Sequence, residues 1–210
     1  MPNIVSPLAF PTGMLFPLGD DEGRIRERST IVSTSALPME EAARRIRVDR
    51  GLLLEELAQR SEEDLVAGYS VAGGPLGDFC ESLRDLVAHV LMWDEINLAV
   101  LTEARLGRAH WSLRSVWETR EAGQMLNKSG VAAGRDLPVG LLTDRYSAVQ
   151  EALLAELRSY DEDGWRAPTG LGHSQAPSVG SLAQYVMSVP NVAPYWHAAV
   201  HLGRLTAVEG

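Results

Sequence analysis

Apolar residues along this chain recur at helical spacing, and the stretches that carry the pattern can be placed one by one. The first runs from about Pro38 to Arg60. Pro38 suits a first-turn position, Glu40 and Glu41 suit the positive end of the helix dipole, and Ala42, Ile46, Leu53 and Leu57 form an inward stripe. Residues 61–78 (SEEDLVAGYSVAGGPLGD) are polar and glycine-rich and read as loop. A second helix is predicted from Asp78, with Glu81 completing a capping-box-like start, to about Leu106. Phe79, Leu83, Leu86, Val90, Trp93 and Asn97 share one of its faces. A shorter helical piece is expected from Leu113 to Asn127, ahead of a loop, NKSGVAAGRDLP. The stretch from Pro138 to Tyr160 carries Leu142, Tyr146, Val149, Leu153, Leu157 and Tyr160 at spacings of 4, 3, 4, 4 and 3, the seam of a helix bundle. Ser181 and Gln184 read as an S-x-x-Q capping box that opens the last helix, which Pro190 and Pro194 must kink or restart.

No stretch alternates with period two over a convincing length. The expected fold is therefore all-α, a four-helix bundle over residues 38–210 with loops of unequal length. Residues 1–19 are apolar but hold no Lys or Arg, and Pro2, Pro7, Pro11 and Pro17 would break a signal-peptide core. Residues 1–37 are read instead as an extended, proline-rich arm lying over the body or a partner subunit, with a disordered tail as the alternative. A faint echo links SEEDL after Glu56-Leu57 with DEDGW after Glu156-Leu157, and suggests that both halves present their histidines in similar ways.

Composition narrows the function classes. A length of 210 residues favours one domain, and the net charge of −9 argues against gripping nucleic acid or a polybasic membrane anchor. No stretch reaches 18 uninterrupted apolar residues, so no membrane span is expected. The single cysteine, Cys80, excludes an intramolecular disulfide and fits a reducing cytoplasm.

The histidines carry the candidate chemistry. His197 and His201 are four apart in YWHAAVHLG, a spacing that puts both on one face of a helix. His89, within LVAHVLMWDE, sits one turn from Leu86 and from Trp93 and points inward. If the two segments pack together, three imidazoles converge with open coordination positions, the arrangement of a catalytic rather than a closed structural metal site. A hydrogen-bonded core residue at 89 and surface polarity at 197 and 201 are the competing readings. His110 and His173 fall in predicted loops and read as solvated. Asp85, one turn before His89, is placed to orient an imidazole, or is an exposed helix charge. Asp94 and Glu95 do not share the face of His89 and are weak candidates for a general base. Trp93 is a candidate wall of an apolar substrate cavity and Asn127 a candidate substrate hydrogen-bonder; core packing and helix termination are the alternatives.

The stretches LRDLVAHVLMWDE (83–95) and YWHAAVHLG (195–203) together resemble the DinB/YfiT-like superfamily, over about residues 40–205. The Trp93-Asp94-Glu95 turn and Met125-Leu126-Asn127 after Trp117 are most similar to its ClbS/DfsB branch, with the mycothiol-dependent maleylpyruvate isomerase branch close behind. That resemblance implies a divalent ion (Zn²⁺, Ni²⁺ or Fe²⁺) on His89, His197 and His201, with metal-free action as the alternative. It also implies a small electrophilic substrate and a homodimer. The first branch implies hydrolytic ring opening in self-resistance. The second implies a low-molecular-weight thiol as co-substrate, for which Arg105, Arg108, Arg114 and Arg145 are the available basic residues. A protein that sequesters an apolar metabolite without turnover is the reading from a different class.

Overall fold

The computed structural model describes residues 36–68, 80–171, 176–189 and 192–203. Among these residues the ordered elements are all helical, joined by turns and one isolated bridge between Pro168 and Ser178. Residues 1–35 of the expected arm (1–37), the proposed cap at Asp78, His173 and Pro190 lie outside the described residues. No helix among them is long and apolar enough to cross a membrane.

Helix α1 spans Met39–Ala58 behind Pro38, with Glu40 and Glu41 in its first turn. The expected stripe of Ala42, Ile46, Leu53 and Leu57 is buried, but Asp49 and Arg50 are buried with it, each fully enclosed. The chain then forms a one-turn helix, α2 (Glu62–Val66), where loop was expected. Ser61 and Asp64 make a reciprocal capping box that stabilises so short an element, and Leu65 is buried.

Helix α3, Leu83–Arg105, is the hub, packing against α2 and against α4, α5 and α7, which follow it in the chain. Its cap is Ser82, whose hydroxyl accepts from the Asp85 amide at 3.2 Å, so the helix begins later than the Asp78 start would place it. Two 3₁₀ turns (Trp111–Leu113 and Ser115–Trp117) lead to α4, Arg120–Arg135. This is a correction to the expected helix at Leu113–Asn127 and the loop after it. Thr119 caps the true start, and the helix continues through Gly130 and Gly134. Those glycines act here as contact points rather than breakers. A Cβ at Gly134 would sit 2.2 Å from Ala88 Cβ, and one at Gly130 would sit 2.6 Å from Met92 Sδ. Removing both side chains lets α4 lie close against α3.

Helix α5, Val139–Arg158, buries the predicted seam at Leu142, Tyr146, Leu153 and Leu157. A second one-turn helix, α6 (Glu162–Arg166), follows, capped by Asp161 and anchored by buried Trp165. It mirrors α2 one hundred residues earlier, so the SEEDL/DEDGW echo is a local structural likeness. Trp165 Nε1 donates to the Leu37 carbonyl at 2.8 Å, tying the chain before α1 to this corner. Helix α7, Val179–Met187, starts one turn before the expected Ser181 box. Ser178 is the cap and Ser181 its partner, while Gln184 Oε1 accepts from the Leu37 amide instead. Helix α7 ends ahead of Pro190, and the chain becomes helical again only at α8, Ala198–His201. The two halves therefore do not present their histidines alike. His89 lies inside a long helix, whereas the later pair sits on a single turn.

Candidate metal centre

The structure brings His89, His197 and His201 together although 108 residues separate the first two. His89 is in the second turn of α3, buried between Ala88 and Val90, which belong to the hydrophobic core. His197 is the N-cap residue of α8 rather than a helical one, with φ −133° and ψ −60°, and His201 is the last residue of that helix. The His201 amide still reaches the His197 carbonyl at 3.4 Å, so the four-residue spacing places both rings on one side of the turn. The three ring centroids form a near-equilateral triangle with sides of 5.1, 5.1 and 5.0 Å. One nitrogen from each ring lies within 4.8 Å of the others. His89 Nε2 and His197 Nε2 are 3.1 Å apart. Two imidazoles on one tetrahedral ion, with bonds of ~2.1 Å, hold their nitrogens about 3.4 Å apart.

What holds this arrangement comes from residues far away in the sequence. The backbone turns into α8 through Tyr195 at φ 70°, an uncommon conformation for a residue with a side chain. His197 gives α8 no side-chain cap. Asp49 of α1 supplies it: its carboxylate accepts from the amides of His197 (3.1 Å), Ala198 (3.0 Å) and Ala199 (2.8 Å). Arg50 contacts the same carboxylate through Nη1 and forms a fork on Asp94 of α3, at 2.7 Å from Nε and 2.6 Å from Nη2. Tyr146 of α5 donates to the Arg50 carbonyl at 3.4 Å, and Arg45 lies 6.0 Å from the centre of a Trp196 ring. The signal for Asp49 and Arg50 was the seven-residue gap in the apolar stripe between Ile46 and Leu53.

Burial decides the charge state of the trio. Desolvation lowers His89 to about 3, helped by His201. Desolvation also lowers His201 to about 4, with Asp49 opposing and Arg50 assisting. His197 is held well below its ordinary value by desolvation, then by His89, Arg50 and His201. All three rings are neutral at pH 7, the form that binds metal. His201 Nε2 is buried without a hydrogen-bond partner among the described residues, a state that costs free energy unless something else fills it. Convergence, neutrality and an unfilled ring nitrogen all fit a cation ligated by these residues.

The other expected site residues are placed as follows. Asp85 accepts from Arg135 (Nε at 3.0 Å, Nη2 at 2.6 Å) and from the Glu81 amide at 2.8 Å, so it joins α3 to α4 and is no histidine's partner. Burial opposes its ionisation, but Arg135 and that amide prevail and hold its carboxyl below the usual value. Trp93 Nε1 donates to Asn127 Oδ1 at 2.7 Å, so these two candidates meet each other across α3 and α4. A surface hollow of about 460 Å³ at the start of α1 is lined by residues such as Glu41, Arg44 and Arg158, and by neither Trp93 nor a histidine. Asp94 is the buried partner of Arg50, and Glu95 is paired with Arg145 at 2.6 Å. Arg105 is paired with Glu156, and Arg108 and Arg114 are exposed. His110, expected to be solvated, is buried. Its Nδ1 accepts from the Ser112 amide at 3.3 Å and lies 2.8 Å from Ser112 Oγ, and burial lowers its pKa. Cys80 is buried, and desolvation pushes its thiol up to about 12, so it is no ready nucleophile.

Protein-family models, curated proteins and solved structures, each compared with this chain, yield no match.

Proposed function

We propose that His89, His197 and His201 hold one divalent ion, Zn²⁺, Ni²⁺ or Fe²⁺. On this reading the protein is a small metal-dependent enzyme of the DinB/YfiT-like kind, in which α1, α3, α4 and α5 are the four bundle helices behind an N-terminal arm. The observation that carries the proposal is the convergence of three desolvated, neutral imidazoles with 3.1 Å between two of their nitrogens. The reaction class is addition of water or a low-molecular-weight thiol to an electrophilic small molecule, ring opening, or isomerisation of a thiol adduct, in resistance or specialised metabolism. An ion bound there supplies Lewis acidity to a carbonyl or epoxide oxygen and acidifies a water or thiol at its open positions. The chain's own part is to keep the rings neutral by burial and to fix the α8 turn through Asp49. A homodimer is the proposed assembly.

A second reading is a binding protein that sequesters an apolar metabolite. It is favoured by one observation: Asp85, Asp94 and Glu95 are each engaged by an arginine, which leaves none of these carboxylates ready to move a proton at the trio. Elemental analysis of tag-free protein decides the first point. Stoichiometric metal is expected in the parent and none in His89→Ala or His201→Ala; a metal-free parent sinks the proposal. His197→Ala separates the classes, because an enzyme loses turnover and a binder keeps its ligand affinity.

A further inference from the structure

Helix α8 cannot hold its own shape. It has four residues, far below the length at which a helix is stable in water, and it is entered through a left-handed Tyr195. The positions of the His197 and His201 rings therefore depend on what grips the turn from outside. Three successive amides, those of His197, Ala198 and Ala199, converge on the one carboxylate of Asp49. That carboxylate contacts Arg50, whose fork is closed on Asp94. Asp94 lies five residues after His89 on the same helix. The chain of bonds thus begins on the helix that carries His89, crosses α1 and ends on the turn that carries the other two histidines.

Resting on the metal reading above, we propose that Asp49 is a positioning residue for the metal site. Through Arg50 and Asp94 it fixes the register between the His89 ring on α3 and the His197 and His201 rings on α8. Its charge is suited to this: an ionised carboxylate accepts several N–H bonds at once, at the positive end of the turn. Asparagine at the same place has one carbonyl oxygen and presents an NH₂ group to amides that also donate. All three members are enclosed, so no water replaces a lost contact at low cost.

The experiment uses the full chain without a tag. Zinc affinity is measured by competition with a chromophoric chelator, and the visible spectrum of the Co²⁺ form reports the ligand geometry. In Asp49→Asn, zinc binding is expected to weaken by about 10- to 100-fold, the range for residues that orient ligands, and the Co²⁺ spectrum to change while the far-ultraviolet circular dichroism is retained. A folded Asp49→Asn with parent-like affinity and spectrum overturns the proposal and leaves the metal reading standing. If that variant does not fold, Asp94→Asn decides, since Asp94 is hydrogen-bonded to Arg50 and not to the α8 amides. An altered Co²⁺ spectrum there supports transmission through Arg50, and an unaltered one overturns it. Amide exchange at His197, Ala198 and Ala199 in metal-free protein is the companion measurement. A parent that binds neither ion sinks the metal reading, and the anchoring by Asp49 then stands if Asp49→Asn speeds this exchange and falls if it does not.

Discussion

Two buried polar clusters lie side by side in this molecule and are built in opposite ways. In the first, Asp49, Arg50 and Asp94 are fully enclosed and charged, and the arginine and both carboxylates are engaged in hydrogen bonds. In the second, three histidines are neutral, His89 and His197 buried and His201 half-buried, one pair of nitrogens meets at 3.1 Å, and His201 Nε2 has no partner among the described residues. A closed cluster of charges satisfies itself and locks backbone; an open cluster of lone pairs is incomplete without a guest. The fold uses the closed cluster to hold the open one in shape.

The sharpest way to break this comparison is Arg50→Ala. It leaves two enclosed carboxylates without their cation, and unfolding by denaturant is expected to show a loss of about 3–5 kcal/mol. A loss below 1 kcal/mol would mean that the cluster is hydrated and not closed. Acid addresses the other cluster. The folded values of about 3 for His89 and about 4 for His201 lie below the 6.5 of an ordinary imidazole, so the unfolded chain takes up protons first as the pH falls. Metal-free protein should therefore be most stable above pH 6.5 and lose up to about 1.4 kcal/mol per histidine for each unit below it. Chemical denaturation from pH 7.5 to 4.5 measures the slope, and a flat profile would show that the rings are solvated.

Zinc sharpens the contrast further. At 100 times its Kd, zinc is expected to stabilise the parent by about 2.7 kcal/mol and His89→Leu not at all, as read by thermal shift. Without metal, His89→Leu should cost about 1–3 kcal/mol, because it leaves buried His197 Nε2 without its partner at 3.1 Å. The smallest effect belongs to Trp93→Phe. It removes one neutral hydrogen bond to Asn127 and is expected to cost about 0.5–1.5 kcal/mol without altering zinc affinity. A changed affinity would draw Trp93 into the site.

Much of the architecture was legible because its causes are local. The stripe of α1, the seam of α5 and the inward side of α3 follow from residues three and four apart, and the spacing of His197 and His201 marked them as a pair. Boundaries were less legible where local signals competed. Gly130 and Gly134 look like breakers until Met92 and Ala88 are seen against them, and Ser82 and Ser178 took the capping roles assigned to Asp78 and Ser181.

By itself, the order of residues determined an all-α class, helical among the described residues, and nominated three imidazoles, since both rest on short-range periodicity. Only the tertiary structure decided that these rings meet, that α8 is a single turn, and that Asp49 and Arg50 brace it. The brace depends on contacts spanning 44 to 150 residues, made by Asp49 and Arg50, charged side chains that in isolation read as solvent-facing. Burial and pairing arise together when the helices pack, and no local pattern encodes that event.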